Sequence, residues 1–351
     1  MNDSLAGMLE AAAHRPVSRS RRQFLHATCG AAAVGVLGTA RALSASPRQR
    51  VIVDNDFSGD PDGLFQLAHH LASPSVEIPF VIGSHIHVND FLDPTAAQPE
   101  NAAARARELY ATMKPGPRPP VVAGRNAALS ADAMPELNEA ARRIIGEALR
   151  TDTALPLYYA AGAGLTDLAV ALMHAPRIGR KLTLVWIGGM EHPDLLPGMP
   201  QRRDAEYNLT IDLAAARWIF NRSDVEIWQV PRNVYRQLNI GYAELDEGLR
   251  PAGKLGAFLI RQLERVSRRM GANFGETYIL GDSPLVTLTA LQSAFDPDTS
   301  SSDYVVRPTP RLVADGRYEA RADGRPMRVY RTIDTRLTFA DMFAKFARSG
   351  L

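Results

Sequence analysis

The sequence predicts an α/β fold: an open, mostly parallel, Rossmann-like sheet with helices on both faces. From about residue 48 onwards, short apolar runs typical of buried strands alternate with segments whose apolar residues recur at helical spacing. The 351 residues are 46% hydrophobic and 22% charged, which is an ordinary globular composition with enough length for a sizeable core. This length would fit one large α/β domain or two smaller ones, and a small C-terminal β-hairpin appendage is predicted at its end.

The individual elements follow in chain order. Apolar runs predict strands at residues 51–53, 76–82, 120–123, 156–160, 181–187 and 225–230. The first helix is predicted from apolar residues at positions i, i+3, i+4 and i+7, namely Leu64, Leu67, Ala68 and Leu71. Further helices are predicted at residues 101–113, 136–149, 165–174, 213–220, 252–269 and 283–293. Turn signals at Asp315-Gly316 and Asp323-Gly324 indicate the hairpin, and a closing helix is predicted at 339–346.

The N-terminal segment, residues 1–45, is predicted to be a twin-arginine signal peptide. Residues 20–25 read SRRQFL, and a mildly apolar stretch with small-residue cleavage points follows. We therefore expect the mature protein to be periplasmic or secreted. The single cysteine, Cys29, lies in this segment, so the mature chain would have neither disulfide nor thiolate chemistry. No other apolar run reaches the length of a transmembrane span.

The charge balance argues against polyanionic partners. The signal segment carries five arginines against two acidic residues, so its removal changes the formal charge from +2 to about −1. A nearly neutral protein offers no electrostatic attraction for nucleic acid or for an anionic membrane.

An acidic turn follows the first predicted strand and contains Asp54, Asp56, Asp60 and Asp62. Carboxylates this close repel one another, so protons or a cation must neutralise some of them. A hard divalent ion with oxygen ligands satisfies that need. The simpler alternative is a solvated turn, because aspartate, glycine and proline are ordinary loop residues. The position favours the metal site, since parallel sheets bind ligands beyond the carboxyl ends of their strands.

Further segments complete a pattern that extends from residue 50 to the C-terminus. They are Asn101-Ala102, the turn that contains Gly162 and Gly164-Leu165-Thr166, the pair Gly188-Gly189, Glu206-Tyr207-Asn208, and Gly281-Asp282 before a late helix. In this order and spacing, together with the acidic turn, they resemble the inosine-uridine preferring nucleoside hydrolase family. The resemblance is to a divergent, exported member, and it implies a nucleoside hydrolase-like domain over residues 46–351.

The resemblance implies calcium-dependent hydrolysis of the N-glycosidic bond of ribonucleosides, giving ribose and a free base for purine or pyrimidine salvage. It makes Asp56 both a Ca²⁺ ligand and the general base that acts on a metal-bound water. Three further calcium ligands are implied: Asp62, the carbonyl of Gly162, and Asp282. Three substrate contacts are implied: Asp60, Glu206 and Asn208. The expected partner is a small nucleoside or other ribosyl compound, and the expected assembly is a homodimer or homotetramer.

The residue types suit this chemistry independently of the resemblance. Cleavage of an N-glycosidic bond passes through an oxocarbenium-like sugar. Carboxylates and amides can hold the ribose hydroxyls and stabilise the developing positive charge. An adjacent carboxylate can take a proton from the attacking water.

The acidic turn departs from the family pattern, in which two aspartates are adjacent. Here Pro61 separates Asp60 from Asp62. Counting forward from Asp56 places Asp60 at the sugar position, whereas counting back from the helix places Asp62 there. The roles of these two aspartates are therefore open to exchange.

A second departure is Gly281, where many family members carry a histidine that protonates the leaving base. Four residues are candidates to replace it: His85, His87, His192 and Tyr235. The preferred nucleobase is not predicted.

Two other functions fit the sequence. The first is a related metal-dependent hydrolase of another sugar derivative, which the Pro61 and Gly281 departures favour. The second is a non-catalytic periplasmic protein that binds a ribosyl ligand. Asp56 favours catalysis, because a binding protein needs no carboxylate that activates water.

Some residues also have plainer interpretations. Asp54 is a candidate to orient its neighbours rather than to bind metal. Glu206 is open to interpretation as an ordinary carboxylate at a helix entry. His69 and His70 lie away from the apolar stripe of their helix, so we expect them to be solvated.

Overall fold

The computed structural model describes residues 46–130, 133–198, 202, 204–271, 275–293 and 301–351. The predicted signal segment lies outside the described residues. The described chain forms one nine-stranded sheet, two sheets of two strands each, and helices around them. This architecture confirms the predicted α/β fold class.

The bounds of the elements are as follows. The strands are β1 (Gln49–Asn55), β2 (Val76–Glu77), β3 (Val81–Gly83), β4 (Val121–Ala123), β5 (Leu157–Ala161), β6 (Thr183–Ile187), β7 (Glu226–Val230), β8 (Asn239–Gly241), β9 (Thr277–Ile279), β10 (Tyr304–Pro308), β11 (Arg311–Leu312), β12 (Tyr318–Glu319) and β13 (Pro326–Tyr330). The helices are α1 (Asp62–Leu71), α2 (Gln98–Tyr110), α3 (Glu139–Ala148), α4 (Thr166–His174), α5 (Tyr207–Ile211), α6 (Leu213–Arg222), α7 (Arg232–Tyr235), α8 (Tyr242–Leu249), α9 (Gly253–Met270), α10 (Pro284–Thr289) and α11 (Thr335–Ser349). None of these helices, within the described ranges, is both long and apolar enough to span a bilayer.

In the main sheet β1 is an interior strand, paired with β5 on one side and β3 on the other. The strand order is β10-β13-β7-β6-β5-β1-β3-β4, with β2 also paired to β1. All pairs are parallel except β10 with β13. The chain builds outward from β1 to β3 and β4, then returns to β5 on the other side of β1. The connection after β1 therefore runs toward β3 and the connection after the neighbouring β5 runs toward β6, in opposite directions, which opens a crevice where ligands bind in such sheets.

The core explains why β1 is fixed at this place. Its side chains alternate between two hydrophobic clusters, Val51 and Val53 in one and Ile52 in the other. All three are fully buried. Burying each such side chain contributes roughly 1.5–3 kcal/mol, so β1 is held from both faces and delivers its final residues to a defined position.

Two predicted strand regions differ from the structure. The predicted strand at 76–82 is divided into β2 and β3, because Pro79 between them has no N–H to donate to a neighbouring strand. At the C-terminus, β11 and β12 form a small hairpin around Gly316, whose φ is +85°. In contrast, β10 and β13 extend the main sheet, so the C-terminal region is more than an appendage.

The expected solvation of His69 and His70 is wrong, since both side chains are fully buried in α1. His69 Nε2 lies 2.7 Å from Asp341 Oδ2 of α11, and His70 Nε2 lies 2.8 Å from Thr289 Oγ1 of α10. Helical periodicity identified the face of α1 that packs on the sheet. It could not show that α10 and α11 cover the opposite face.

Candidate active site

A cavity of about 560 Å³ opens at the carboxyl end of β1. It is lined by all seven residues that the sequence analysis assigned to the site: Asp56, Asp60, Asp62, Gly162, Glu206, Asn208 and Asp282. They come from the turn after β1, the end of β5, the start of α5 and the segment between β9 and α10. The fold thus brings distant segments of the chain to one place.

Asp56 and Asp282 are buried carboxyls of the cavity wall, 5% and 3% exposed. The Asp56 N–H donates to Asn55 Oδ1 at 2.8 Å, and Asn55 Nδ2 donates to Asp282 Oδ2 at 2.9 Å. Burial and then the charges of Asp282 and Asp60 raise the pKa of Asp56 well above its ordinary value. Burial, partly opposed by the hydrogen bond from Asn55, raises the pKa of Asp282 to about 7. Carboxyls that resist ionisation side by side favour the binding of a positive charge.

Asp62 and Asp60 have different surroundings. Asp62 Oδ2 accepts the backbone N–H of Asp282 at 3.2 Å, and its Oδ1 accepts that of Gly63 at 2.9 Å. Asp60 is exposed, and its Oδ1 accepts the Tyr278 hydroxyl at 2.8 Å. Asp62 therefore lies against the segment that carries Asp282, whereas Asp60 is the more accessible of the two carboxylates.

Asn208 connects the ends of two strands. Its Nδ2 donates to the backbone carbonyls of Gly162 at 3.1 Å and of Ile187 at 2.8 Å. The Gly162 carbonyl is thereby held in place beside the cavity. Because the protein uses Nδ2, Oδ1 is the side-chain atom of Asn208 that is left for a ligand, and no donor from the described residues contacts it.

Glu206 is a helix cap as well as a cavity residue. Its Oε2 accepts the backbone N–H groups of Gly189 at 2.8 Å and Leu209 at 2.9 Å. Its Oε1 accepts the Asn208 N–H at 3.1 Å and the Tyr235 hydroxyl at 3.0 Å. These four donors fit the plainer interpretation of Glu206 as a carboxylate at a helix entry. A sugar contact for Glu206 stays a prediction.

Of the four candidates for the leaving-group acid, Tyr235 alone lines the cavity as far as the described residues define it. The three histidines contact other side chains: His85 pairs with Thr166, His87 with Thr210 and His192 with Gln229. A Cβ built at Gly281 would lie 3.2 Å from Tyr235 Cδ2, so the Tyr235 ring occupies the space beside that glycine. Burial, with the nearby Glu206 charge, raises the pKa of the Tyr235 hydroxyl, which therefore keeps its proton.

Asp54 does not line the cavity. Its two carboxylate oxygens accept the hydroxyls of Ser84 and Tyr159. Burial and the Asp167 charge raise the pKa of Asp54 to about 7. These contacts agree with an orienting rather than a ligand role.

The cavity has a further wall that the sequence analysis missed. The Tyr207 hydroxyl donates to Asp90 Oδ2 at 2.7 Å and links α5 to the loop after β3. Arg232 is held by both carboxylate oxygens of Glu191, at 2.6 and 2.8 Å. Tyr207 was visible as the aromatic residue of its motif. Asp90 lies in an irregular loop, where no periodicity marks it.

The donor chemistry of the cavity fits a hard cation. It offers carboxylate and carbonyl oxygens, and no histidine or cysteine lines it among the described residues. Such ligand sets favour calcium or magnesium. Among the described residues, no group of three or more histidine, cysteine, aspartate or glutamate side chains is arranged so that it could hold a metal ion. Burial first, and then the charges of neighbouring carboxylates, raise the pKa values of Asp56 and Asp282, and a bound cation would favour the ionised form of both.

Comparison with known proteins identifies the fold. No protein-family model and no curated protein matches the sequence. The structure is similar to a plant nucleoside hydrolase, with a TM-score of 0.59 and 17% identity over 86% of this chain and 99% of that one. It is also similar to an inosine-uridine preferring nucleoside hydrolase from Bacillus anthracis (TM-score 0.57, 20% identity, 86% and 99% covered). A purine-preferring ribonucleoside hydrolase from Gardnerella vaginalis gives a TM-score of 0.62 and 19% identity, with 86% and 98% covered. The chain therefore has the fold of the nucleoside hydrolases.

Proposed function

We propose that this protein hydrolyses the N-glycosidic bond of ribonucleosides and that it requires calcium. One observation carries the proposal: the seven residues that the sequence motifs singled out line one cavity, at the carboxyl end of β1. The solved proteins of the same fold are themselves nucleoside hydrolases by name. The proposed products are ribose and a free purine or pyrimidine base.

The calcium ligands in this proposal are Asp56, Asp62, the Gly162 carbonyl and Asp282. Support comes from the burial of Asp56 and Asp282, from the contact of Asp62 with the Asp282 backbone, and from the carboxylates that line the same cavity. When bound, calcium would act as a Lewis acid that orients water and neutralises the carboxylates. The magnesium alternative is tested by comparing the two cations.

Asp56 is the proposed general base. Asp56 lines the cavity, and within the described part of the chain no side chain donates a hydrogen bond to its carboxylate, which leaves that carboxylate available to take a proton from the attacking water. The accessible Asp60 and the Oδ1 atom of Asn208 are proposed to hold the ribose hydroxyls. Such contacts accelerate the reaction if they strengthen as the sugar becomes positively charged.

Tyr235 is the proposed donor to the departing base. Tyr235 lines the cavity and stands beside Gly281, and its raised pKa keeps the hydroxyl protonated until the base departs. The same shift makes the hydroxyl a weak acid, so it would act only on a strongly basic leaving nitrogen. Because the hydroxyl donates its one proton to Glu206 at 3.0 Å, it would have to turn away from Glu206 to protonate the base, and solvent would then reprotonate the phenolate.

The test is release of reducing sugar from a panel of purine and pyrimidine ribonucleosides. The purified protein is assayed as isolated, with a calcium chelator, and after calcium or magnesium is restored. The expected result is chelator-sensitive release, with ribonucleosides cleaved faster than 2′-deoxyribonucleosides because of the hydroxyl contacts. If the calcium-bound protein cleaves no nucleoside, the result would favour a hydrolase of another sugar derivative. Gly281, which stands where many family members carry a histidine, supports that alternative. Tight ribose-ligand binding with no turnover would favour a binding protein.

We also propose export through the twin-arginine route, on the evidence of the SRRQFL segment. An Arg21→Lys and Arg22→Lys double variant should leave the precursor in the cytoplasm of a bacterial host, whereas the parent protein appears in the periplasm or medium. If the variant and the parent protein are distributed equally between the cytoplasm and the exported fraction, the proposal is contradicted. A homodimer or homotetramer is proposed for the mature protein, and light scattering on the purified protein measures it directly.

A further inference from the structure

A line of buried polar side chains runs from the cavity into α1 and α10. Asn55, Gln66, His70 and Thr289 are all fully buried. Asn55 Nδ2 donates to Asp282 Oδ2 at 2.9 Å and lies 3.4 Å from Gln66 Oε1. Gln66 Nε2 contacts His70 Nδ1, and His70 Nε2 lies 2.8 Å from Thr289 Oγ1. Buried polar groups destabilise a core unless they are hydrogen-bonded, so each member of this line depends on the next.

The donors and acceptors of this line permit one arrangement. The Thr289 hydroxyl donates to the Leu285 carbonyl at 2.5 Å, so towards His70 it acts as an acceptor. His70 must then carry its proton on Nε2 and accept at Nδ1 from the Gln66 amide. Gln66 consequently turns its oxygen toward Asn55, whose NH₂ group points to the cavity. Burial lowers the pKa of His70, which keeps the ring neutral as this arrangement requires.

Two glycines leave the Asn55 side chain little room. A Cβ at Gly63 would lie 2.8 Å from the Asn55 amide, and a Cβ at Gly162 would collide with Asn55 Nδ2. Asn55 Oδ1 in turn accepts the Asp56 backbone N–H at 2.8 Å. One amide group therefore contacts both Asp56 and Asp282, by its two ends. An inverted amide would set its oxygen against the Asp282 carboxylate and its NH₂ against the Asp56 N–H, and both contacts are repulsive.

We propose that Asn55 is a positioning residue for Asp282, and that Gln66 and His70 hold the Asn55 amide in the orientation that the cavity needs. The proposal rests on the proposed function, because that function assigns Asp282 to the cation site. It adds a support that no sequence motif identified. Neither Gln66 nor His70 lines the cavity, and the hydrogen-bonded route from them to Asp282 runs through Asn55.

The test variant is Gln66→Met, which removes both hydrogen bonds of Gln66 with little change in volume. The calcium Kd, measured by isothermal titration calorimetry, should rise about tenfold or more, as is usual when the partner of a ligand residue is lost. The kcat for the best nucleoside should fall by a similar factor, with a smaller change in KM. A crystal structure of the variant should show the Asn55 amide moved away from Asp282 Oδ2. In Gln66→Glu one oxygen faces Asn55 and the other, when protonated in this buried place, can donate to His70 Nδ1, so at mildly acidic pH its calcium Kd should stay within about threefold of the parent value.

The matched control is His69→Gln. His69 is adjacent to His70, is equally buried, and is hydrogen-bonded to Asp341 instead of to the Asn55 line. The control should lower thermal stability while leaving calcium Kd and kcat unchanged. The proposal is overturned if Gln66→Met keeps both the parent calcium affinity and the Asn55–Asp282 contact. It is also overturned if the control weakens calcium binding as much as Gln66→Met does.

The outcomes separate this proposal from the proposed function. If the parent protein binds calcium but cleaves no nucleoside, the proposed reaction fails and the comparison of Kd values still decides the role of Asn55. If the parent protein binds no calcium, the crystal structure of Gln66→Met decides the role of Asn55, because an unmoved Asn55 amide would contradict the positioning role.

Discussion

Replacing Asp282 by asparagine should stabilise the calcium-free protein at alkaline pH, although it removes a proposed calcium ligand. Asp282 is 3% exposed, and burial raises its pKa to about 7. An asparagine keeps an oxygen that can accept the hydrogen bond from Asn55 and carries no charge. The substitution therefore removes the free-energy cost of ionising a buried carboxyl.

The pKa of Asp282 sets both the sign and the size of this effect. The ordinary value for the group is 3.8, so between 3.8 and about 7 the folded protein binds a proton that the unfolded chain has lost. The contribution of the Asp282 carboxyl to the free energy of unfolding is fully present below its ordinary pKa and is lost as the pH rises through about 7. At about 1.4 kcal/mol per pKa unit, the loss is roughly 2 kcal/mol at pH 5 and roughly 4 kcal/mol at pH 8.

The assay is urea unfolding of the parent protein and of Asp282→Asn at pH 5 and pH 8, with chelator and with calcium. In chelator the variant should be the more stable protein at both pH values, with the larger difference at pH 8. Saturating calcium should raise the free energy of unfolding of the parent but not of the variant. A variant that is less stable than the parent in chelator at pH 8 would refute the reasoning, because Asp282 would then have a compensating partner.

The remaining predictions concern turnover. Asp56→Ala should lower kcat at least about 100-fold and weaken calcium binding, because it removes the proposed base and a ligand together; near-normal turnover would mean that another group takes the proton. Asn208→Ala should lower kcat about tenfold or more with a smaller change in KM, since the ribose contact is expected to strengthen in the transition state. A change in KM alone would contradict that role. Tyr235→Phe should slow natural nucleosides at least about tenfold but spare a para-nitrophenyl riboside, whose leaving group needs no proton. Equal losses on both substrates would exclude Tyr235 as the leaving-group acid.

The sequence was sufficient to predict which residues meet in the cavity. The strand pattern placed Asp56 and Gly162 at the carboxyl ends of β1 and β5, and parallel strands bring such ends together. The resemblance to the nucleoside hydrolase family then added Asn208 and Asp282. The predicted set of residues therefore depended on local patterns, on one general rule of parallel sheets, and on the family resemblance.

The contacts of those residues could not be predicted in the same way. Asp60 and Asp62 are two positions apart, and their different surroundings come from Tyr278 and from the backbone of Asp282, far along the chain. Periodicity likewise could not show that Glu206 meets four donors from three segments.

The burial of α1 likewise could not be predicted from local sequence patterns. Its apolar stripe predicted one buried face, but α1 also contacts α2, α10 and α11. His69 and His70 are buried by these neighbours, which no local pattern in α1 reveals.

The hydrogen bond between Asn55 and Asp282 joins residues 227 positions apart in sequence. The central strands can pair as soon as their own segments are available, whereas the carboxylate cavity is incomplete until the chain beyond β9 has closed over it. Closing so long a loop is entropically costly and belongs to the later stages of folding. Capture of a cation at these carboxylates would therefore report that the whole domain has been assembled, and a chain that stops before residue 282 would keep much of the sheet yet lack the means to hold the ion.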